Sequence, residues 1–159
     1  MKSEIIFRCY ETWRGRYADE HGREIVIAAN FENPAIWPFT LQKKQFDIDD
    51  VTYEEQVTDE QSVKLSKALY ENLKQVIERN SALRSCGENI KNGVMDGTCE
   101  EYYFSCNAFS KRTGGLSVYG SGSYEADELP ASRRTDNYVV YKAIKDIEAV
   151  LKQEGIELF

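Results

Sequence analysis

The sequence has a single histidine among its 159 residues, and that scarcity excludes much chemistry at the outset. His21 stands between two acids and a glycine, the setting of an exposed turn. No serine lies in a Gly-x-Ser-x-Gly elbow that would pair with it in a nucleophilic triad. The four cysteines, Cys9, Cys86, Cys99 and Cys106, contain no Cys-x-x-Cys pair, so zinc-ligand spacing is missing. Glycine-rich phosphate cradles are missing too: there is no Gly-Lys-Ser/Thr and no Gly-x-Gly-x-x-Gly opening a helix. Prolines number only three, and no Pro/Gly/Ser-rich tract divides the chain, so residues 1–159 read as one domain. No apolar run approaches the ~18–20 residues of a membrane span, and the first residues carry no secretory h-region. This predicts a cytoplasmic protein. Basic residues are the minority, 20 against 27 acids, which argues against direct binding to a nucleic-acid backbone. The expectation is a protein without enzymatic activity, metal or cofactor.

What is present is an unevenly placed charge. Between Lys44 and Lys64 stand seven acids and no base: Asp47, Asp49, Asp50, Glu54, Glu55, Asp59 and Glu60. Without them the chain holds as many acids as bases, so the whole net charge of −7 belongs to this stretch. A calcium loop beginning at Asp47 is excluded, because Thr52 replaces the obligatory glycine and Thr58 the terminal glutamate. Thr58 and Gln61 match a helix capping box, and this assigns Asp59 and Glu60 to a helix's first turn, where acids favour the dipole. Asp47, Asp49, Asp50, Glu54 and Glu55 then remain as an acidic docking surface for a basic protein partner.

The hydrophobic pattern predicts an α+β domain. Ile5, Phe7 and Cys9 alternate with Ile6, Arg8 and Tyr10, as in a strand. His21-Gly22 reads as a turn, and Ile25 to Ala29 as a strand buried on both faces. Residues 33–57 lack periodicity, with Trp37, Phe39, Leu41 and Phe46 pinning a connection to the core. Leu65, Leu69, Leu73, Val76 and Ile77 form a helical stripe ending near Asn80. Glu101 to Phe109 alternates again, Lys111 to Gly115 reads as a turn, and Leu116 to Glu125 as the returning strand. Asp136 is an N-cap for a last helix with the stripe Val140, Ile144, Ile147 and Leu151, closed by Gly155. Residues 156–159 suit a short edge strand. The predicted order is ββ-α-ββ-α, an antiparallel sheet with two amphipathic helices mainly on one face.

From Asp96-Gly97-Thr98 onward the layout resembles a known group. An Asp-Gly-Thr turn leads into the aromatic strand of Tyr102 and Phe104; a Gly-rich hairpin returns, a Pro130 loop follows, and an amphipathic helix closes the chain. The arrangement is similar to the C-terminal half of small acidic immunity or inhibitor proteins of bacterial toxin and defence systems. The resemblance implies a cytoplasmic protein that neutralises one partner, commonly a nuclease with a basic cleft, by tight non-catalytic binding. It transfers no functional residue.

A second cluster, Trp13, Arg14, Arg16 and Tyr17, interleaves arginine with aromatics, which suits base stacking and phosphate contact. It defines the alternative of a small-ligand or nucleotide-sequestering protein. A small hydrolase using paired carboxylates is the third reading. Cys86 and Cys99 bracket a loop and can pair if oxidised. Tyr102, Tyr103, Tyr119 and Tyr124 would serve an interface if they face outward.

Overall fold

A computed structural model describes residues 3–14, 20–87, 99–114 and 136–159. Its elements run β1 (Ser3–Arg14), β2 (Glu20–Asn30), β3 (Phe39–Ile48), β4 (Glu55–Lys64), α1 (Lys67–Arg79), a 3₁₀ turn (Ser81–Ser85), β5 (Cys99–Ser105), β6 (Ser110–Gly114) and α2 (Asp136–Gln153). Among the described residues the fold is α+β, with six antiparallel strands in the order β4-β3-β2-β1-β5-β6. Four strands precede the first helix, which corrects the expected ββ-α-ββ-α order. The segment expected to be an irregular connection, 33–57, contains β3 and the start of β4.

The meander grows from β1 and β2, whose partners run from Ser3 opposite Asn30 to Arg14 opposite Glu20. One face of the sheet gathers Phe7, Cys9, Ile25, Ile27, Leu41, Tyr102 and Phe104 into a buried cluster with residues of both helices. A bulge between Ile5 and Phe7 lets consecutive Ile6 and Phe7 both bury completely. It also turns Ile5 to the opposite face, 41% exposed, so Ile5 does not share a face with Phe7 and Cys9. Strand β2 is buried on one face only: Ile25, Ile27 and Ala29 are covered, whereas Val26 and Ala28 are half-exposed.

His21-Gly22 is not a turn. Both residues lie inside β2, opposite Trp13 and Thr12. Glycine is required there because the ring of buried Phe46 occupies the space a Cβ would fill, with the carbonyl oxygen of Glu11 2.9 Å from the same point. Pro34 and Pro38 lie in the link from β2 to β3, which Asn33 folds by accepting from Ala35 N–H at 3.0 Å.

Helix α1 starts later than the capping box implied. Thr58 and Gln61 belong to β4, and the N-cap is Ser66, whose Oγ accepts from Leu69 N–H at 3.1 Å. Leu65, expected in the helical stripe, is buried but precedes the N-cap and lies outside the helix; Leu69, Leu73, Val76 and Ile77 are buried as expected, Tyr70 joins them, and Asn80 is the C-cap. Glu4 ties this helix to β1 by accepting from Tyr70 Oη at 3.2 Å and pairing with Lys74 Nζ at 3.0 Å. In α2 the stripe Val140, Ile144, Ile147 and Leu151 is wholly buried, each side chain contributing about 1.5–3 kcal/mol. Asp136 opens α2, but its carboxylate accepts from Gly87 N–H at 2.9 Å.

Gly155, at φ +73°, closes α2 with paired bonds from Gly155 N–H to Lys152 O and Ile156 N–H to Leu151 O, both 3.0 Å. Residues 156–159 form no strand; they fold back, burying Leu158 and setting Phe159 against the Arg23 guanidinium. In the last hairpin the turn falls at 106–109, where Cys106 N–H donates to Phe109 O at 2.9 Å, so Lys111–Gly114 is strand and not turn. The expected strand Leu116–Glu125, with Tyr119 and Tyr124, and the Asp96-Gly97-Thr98 turn lie outside the described residues.

Candidate functional site

The acidic stretch forms the β3–β4 hairpin at one edge of the sheet. Asp47 is the penultimate residue of β3, Glu55, Asp59 and Glu60 lie in β4, and 49–54 is the loop between. Asp49 builds that loop. Its carboxylate accepts from the N–H groups of Val51 at 2.8 Å and Thr52 at 2.9 Å, and its own N–H donates to Glu54 O at 3.0 Å. The bonds from Thr52 and Val51 hold the Asp49 carboxyl below its ordinary value of 3.8. Tyr53 adopts φ 58°, an uncommon conformation for a side-chain-bearing residue, and its N–H closes the loop onto Asp49 O at 2.9 Å.

Two further acids are engaged by side chains of other strands. Asp47 Oδ1 lies 2.7 Å from His21 Nδ1. Glu55 accepts from Tyr10 Oη at 2.9 Å and from Lys44 Nζ at 3.3 Å. Burial, then the Glu55 carboxylate, pushes the Tyr10 hydroxyl up to about 12. Lys44 loses by burial but gains more from Glu24 and Glu55, and its ammonium ends above the ordinary value. Arg8 completes this open face of the sheet, its Nε 2.7 Å from Glu24 and its guanidinium 5.2 Å from the Tyr10 ring. Glu55 is thus part of a structural network.

The remaining carboxylates are free. Among the described residues, the side chains of Asp50, Glu54, Asp59 and Glu60 have no hydrogen-bond or ion-pair partner, and all four are exposed. Asp59 and Glu60 are not at a helix start; they sit mid-strand opposite Gln45 and Lys44. Between these acids the hairpin exposes Val51 at 85%, Tyr53 at 76% and Val57 at 51%. Sequence reasoning found the acidic stretch but missed these three apolar residues. The signal for Val51 and Tyr53 was the Val-Thr-Tyr run between acids, β-branched and aromatic residues in an otherwise polar loop; Val57, flanked by polar residues in β4, had none.

The arginine–aromatic cluster is only partly described. Trp13 is the penultimate residue of β1, its ring 6.4 Å from that of His21. Arg14 is in β1, while its side chain and all of Arg16 and Tyr17 lie outside the described residues. The register Arg14–Glu20–Ile48–Glu55 places the exit of β1 and the 49–54 loop at the same end of the sheet. The Asp47 carboxylate therefore sits next to the Trp13–His21 pair, a negative group where a phosphate ligand would need a positive one.

Other chemistry has thin support. Among the described residues no cluster of three metal-ligating side chains is present. Glu11 and Glu100 face each other in register, but Glu11 pairs with Arg23 at 2.7 Å and Glu100 is 1% exposed, closed to a substrate. A cavity of about 440 Å³ between the end of α1 and the start of α2 holds Asp136, already bonded to Gly87. Cys9, Cys86 and Cys106 are free and buried, so Cys86 forms no disulfide; the Cys99 side chain lies outside the described residues. Burial raises the Cys9 thiol to about 12 and the Cys86 thiol to about 11, which makes both inert. Among the described residues no helix is long and apolar enough to cross a membrane. No family model matches the chain, and no curated protein is detectably similar to it.

Proposed function

We propose that this protein is a non-enzymatic, immunity-like inhibitor that docks a basic protein partner on the β3–β4 hairpin. The observation that carries this is the hairpin's composition: four unpartnered carboxylates surround exposed Val51, Tyr53 and Val57. Apolar anchors within a charged rim are the anatomy of a protein interface. The acids set attraction and orientation, and the anchors supply desolvation energy. Asp50, Glu54, Asp59 and Glu60 face the partner in this reading. Asp47, Asp49 and Glu55 shape the hairpin, through His21, the loop amides and the Tyr10–Lys44 pair. A nuclease or defence effector with a basic cleft is the partner class this chemistry fits. In this reading the protein acts in the cytoplasm.

The test is affinity capture from the source cell with the wild type and with a variant carrying Ser at positions 50, 54, 59 and 60. The proposal expects a basic protein retained by the wild type at low salt and lost with the variant. Equal capture by both proteins refutes it.

A further inference from the structure

We infer that the free edge of β4 accepts an extended basic segment of the partner as a seventh antiparallel or parallel strand. The inference rests on the docking reading above and adds to it the mode of recognition. Among the described residues β4 ends the sheet order, so one of its sides is hydrogen-bonded to β3 and no described strand lies beside the other. It is ten residues long, about 33 Å at the usual rise, whereas the opposite edge strand β6 has five residues. All positions of β4 are exposed except half-buried Val63, and no proline interrupts it. Its outward N–H and C=O groups are therefore a template for strand addition.

The side chains select the occupant. Strand β4 carries Glu55, Asp59 and Glu60 against one base, Lys64. A second copy paired in register, or antiparallel about Asp59–Glu60, would set these acids against each other across the new ladder, a destabilising arrangement. A basic strand reverses that sign. Asp59 and Glu60 are consecutive and so point to opposite faces of the sheet. Glu60 shares the face of its cross-strand neighbour Lys44, and Asp59 that of Gln45. Two successive Lys or Arg residues in the added strand would meet one carboxylate on each face. Val57, opposite Phe46 and half-exposed, offers an apolar neighbour on the Glu60 face. The bulge where Thr58 is passed over between Asp59 and Val57 marks the point at which the added strand must bend.

The probe is a blocked peptide as long as β4, alternating valine and threonine, with two adjacent lysines at its centre. Amide exchange of Glu55–Lys64 and the dissociation constant are both read by NMR titration. The lysine peptide is expected to slow exchange of alternate β4 amides. A peptide of the same charge, N-methylated at every central residue, is expected to bind about tenfold more weakly or worse. The counterpart with glutamates in place of lysines is expected not to bind. Equal binding of the N-methylated peptide overturns strand addition while leaving the acidic-surface reading standing. Equal binding of the glutamate peptide overturns both. Absence of β4 protection with the lysine peptide, or self-association of the chain through β4, also overturns the inference.

Discussion

Gly22→Ala is a sharp test of the packing that holds the hairpin. The new methyl would lie 2.5 Å from Phe46 Cε2 and 2.9 Å from the Glu11 carbonyl oxygen. Overpacking of this kind costs about 1–3 kcal/mol. Alanine in a strand recovers about 0.5–1 kcal/mol relative to glycine, so the net loss is at most about 2.5 kcal/mol, and the buried ring and fixed carbonyl place it in the upper part of that range. For a chain of this size each kcal/mol lowers Tm by about 2–4 °C. Chemical and thermal denaturation of Gly22→Ala and of Gly22→Ala/Phe46→Leu measure it. The leucine removes the ring atoms that meet the methyl, so the glycine substitution should cost less in that background, with a coupling of about 1 kcal/mol. If Gly22→Ala is as stable as the wild type, or its cost is unchanged by Phe46→Leu, the account of the slot is wrong.

Further outcomes follow from the same geometry. Ser66→Ala removes the α1 cap and should cost about 1 kcal/mol, whereas Thr58→Ala should stay within about 0.5 kcal/mol, read by urea denaturation. The Asp49 carboxyl is held below its ordinary value, so its contribution is present above pH 3.8 and lost as pH falls through the folded value. The stability gap between wild type and Asp49→Ala should therefore be largest near neutrality and shrink below that pH; a pH-independent gap would contradict the turn's role. Cys9 and Cys86 should resist thiol labelling at pH 8 until the protein unfolds, because burial has raised both thiols; fast labelling of the native protein at either position would contradict their burial.

The helices were legible in the sequence because each buries one stripe at a constant spacing. Val140, Ile144, Ile147 and Leu151 are all fully buried, and nothing interrupts the pattern. Strand β3 was hidden because its buried residues change face: Phe39 and Leu41 join the main buried cluster, while Phe46 tucks over Gly22 on the other side. Period-two alternation fails across such a switch. Strand β4 was hidden because an edge strand with a single half-buried residue writes no hydrophobic alternation at all. Its Thr58 and Gln61 could then imitate a capping box. The acidic site was legible as composition, but its division into engaged and free carboxylates was not. His21 is 26 residues from Asp47, and Tyr10 is 45 from Glu55. Those pairings depend on register, which only the assembled sheet supplies. The consequence was an exchange of roles: Asp59 and Glu60, first assigned to a helix dipole, are free on the edge, and Asp47, Asp49 and Glu55 are engaged.

The central claim is that the free acids of the β3–β4 hairpin set the attraction for a basic partner. Its most direct measurement is the affinity of the captured partner for the wild type and for the variant with Ser at 50, 54, 59 and 60, from about 50 to about 500 mM salt. Wild-type affinity should fall steeply with salt, and variant affinity should be lower at low salt and nearly flat. Superimposable curves for the two proteins would contradict the claim.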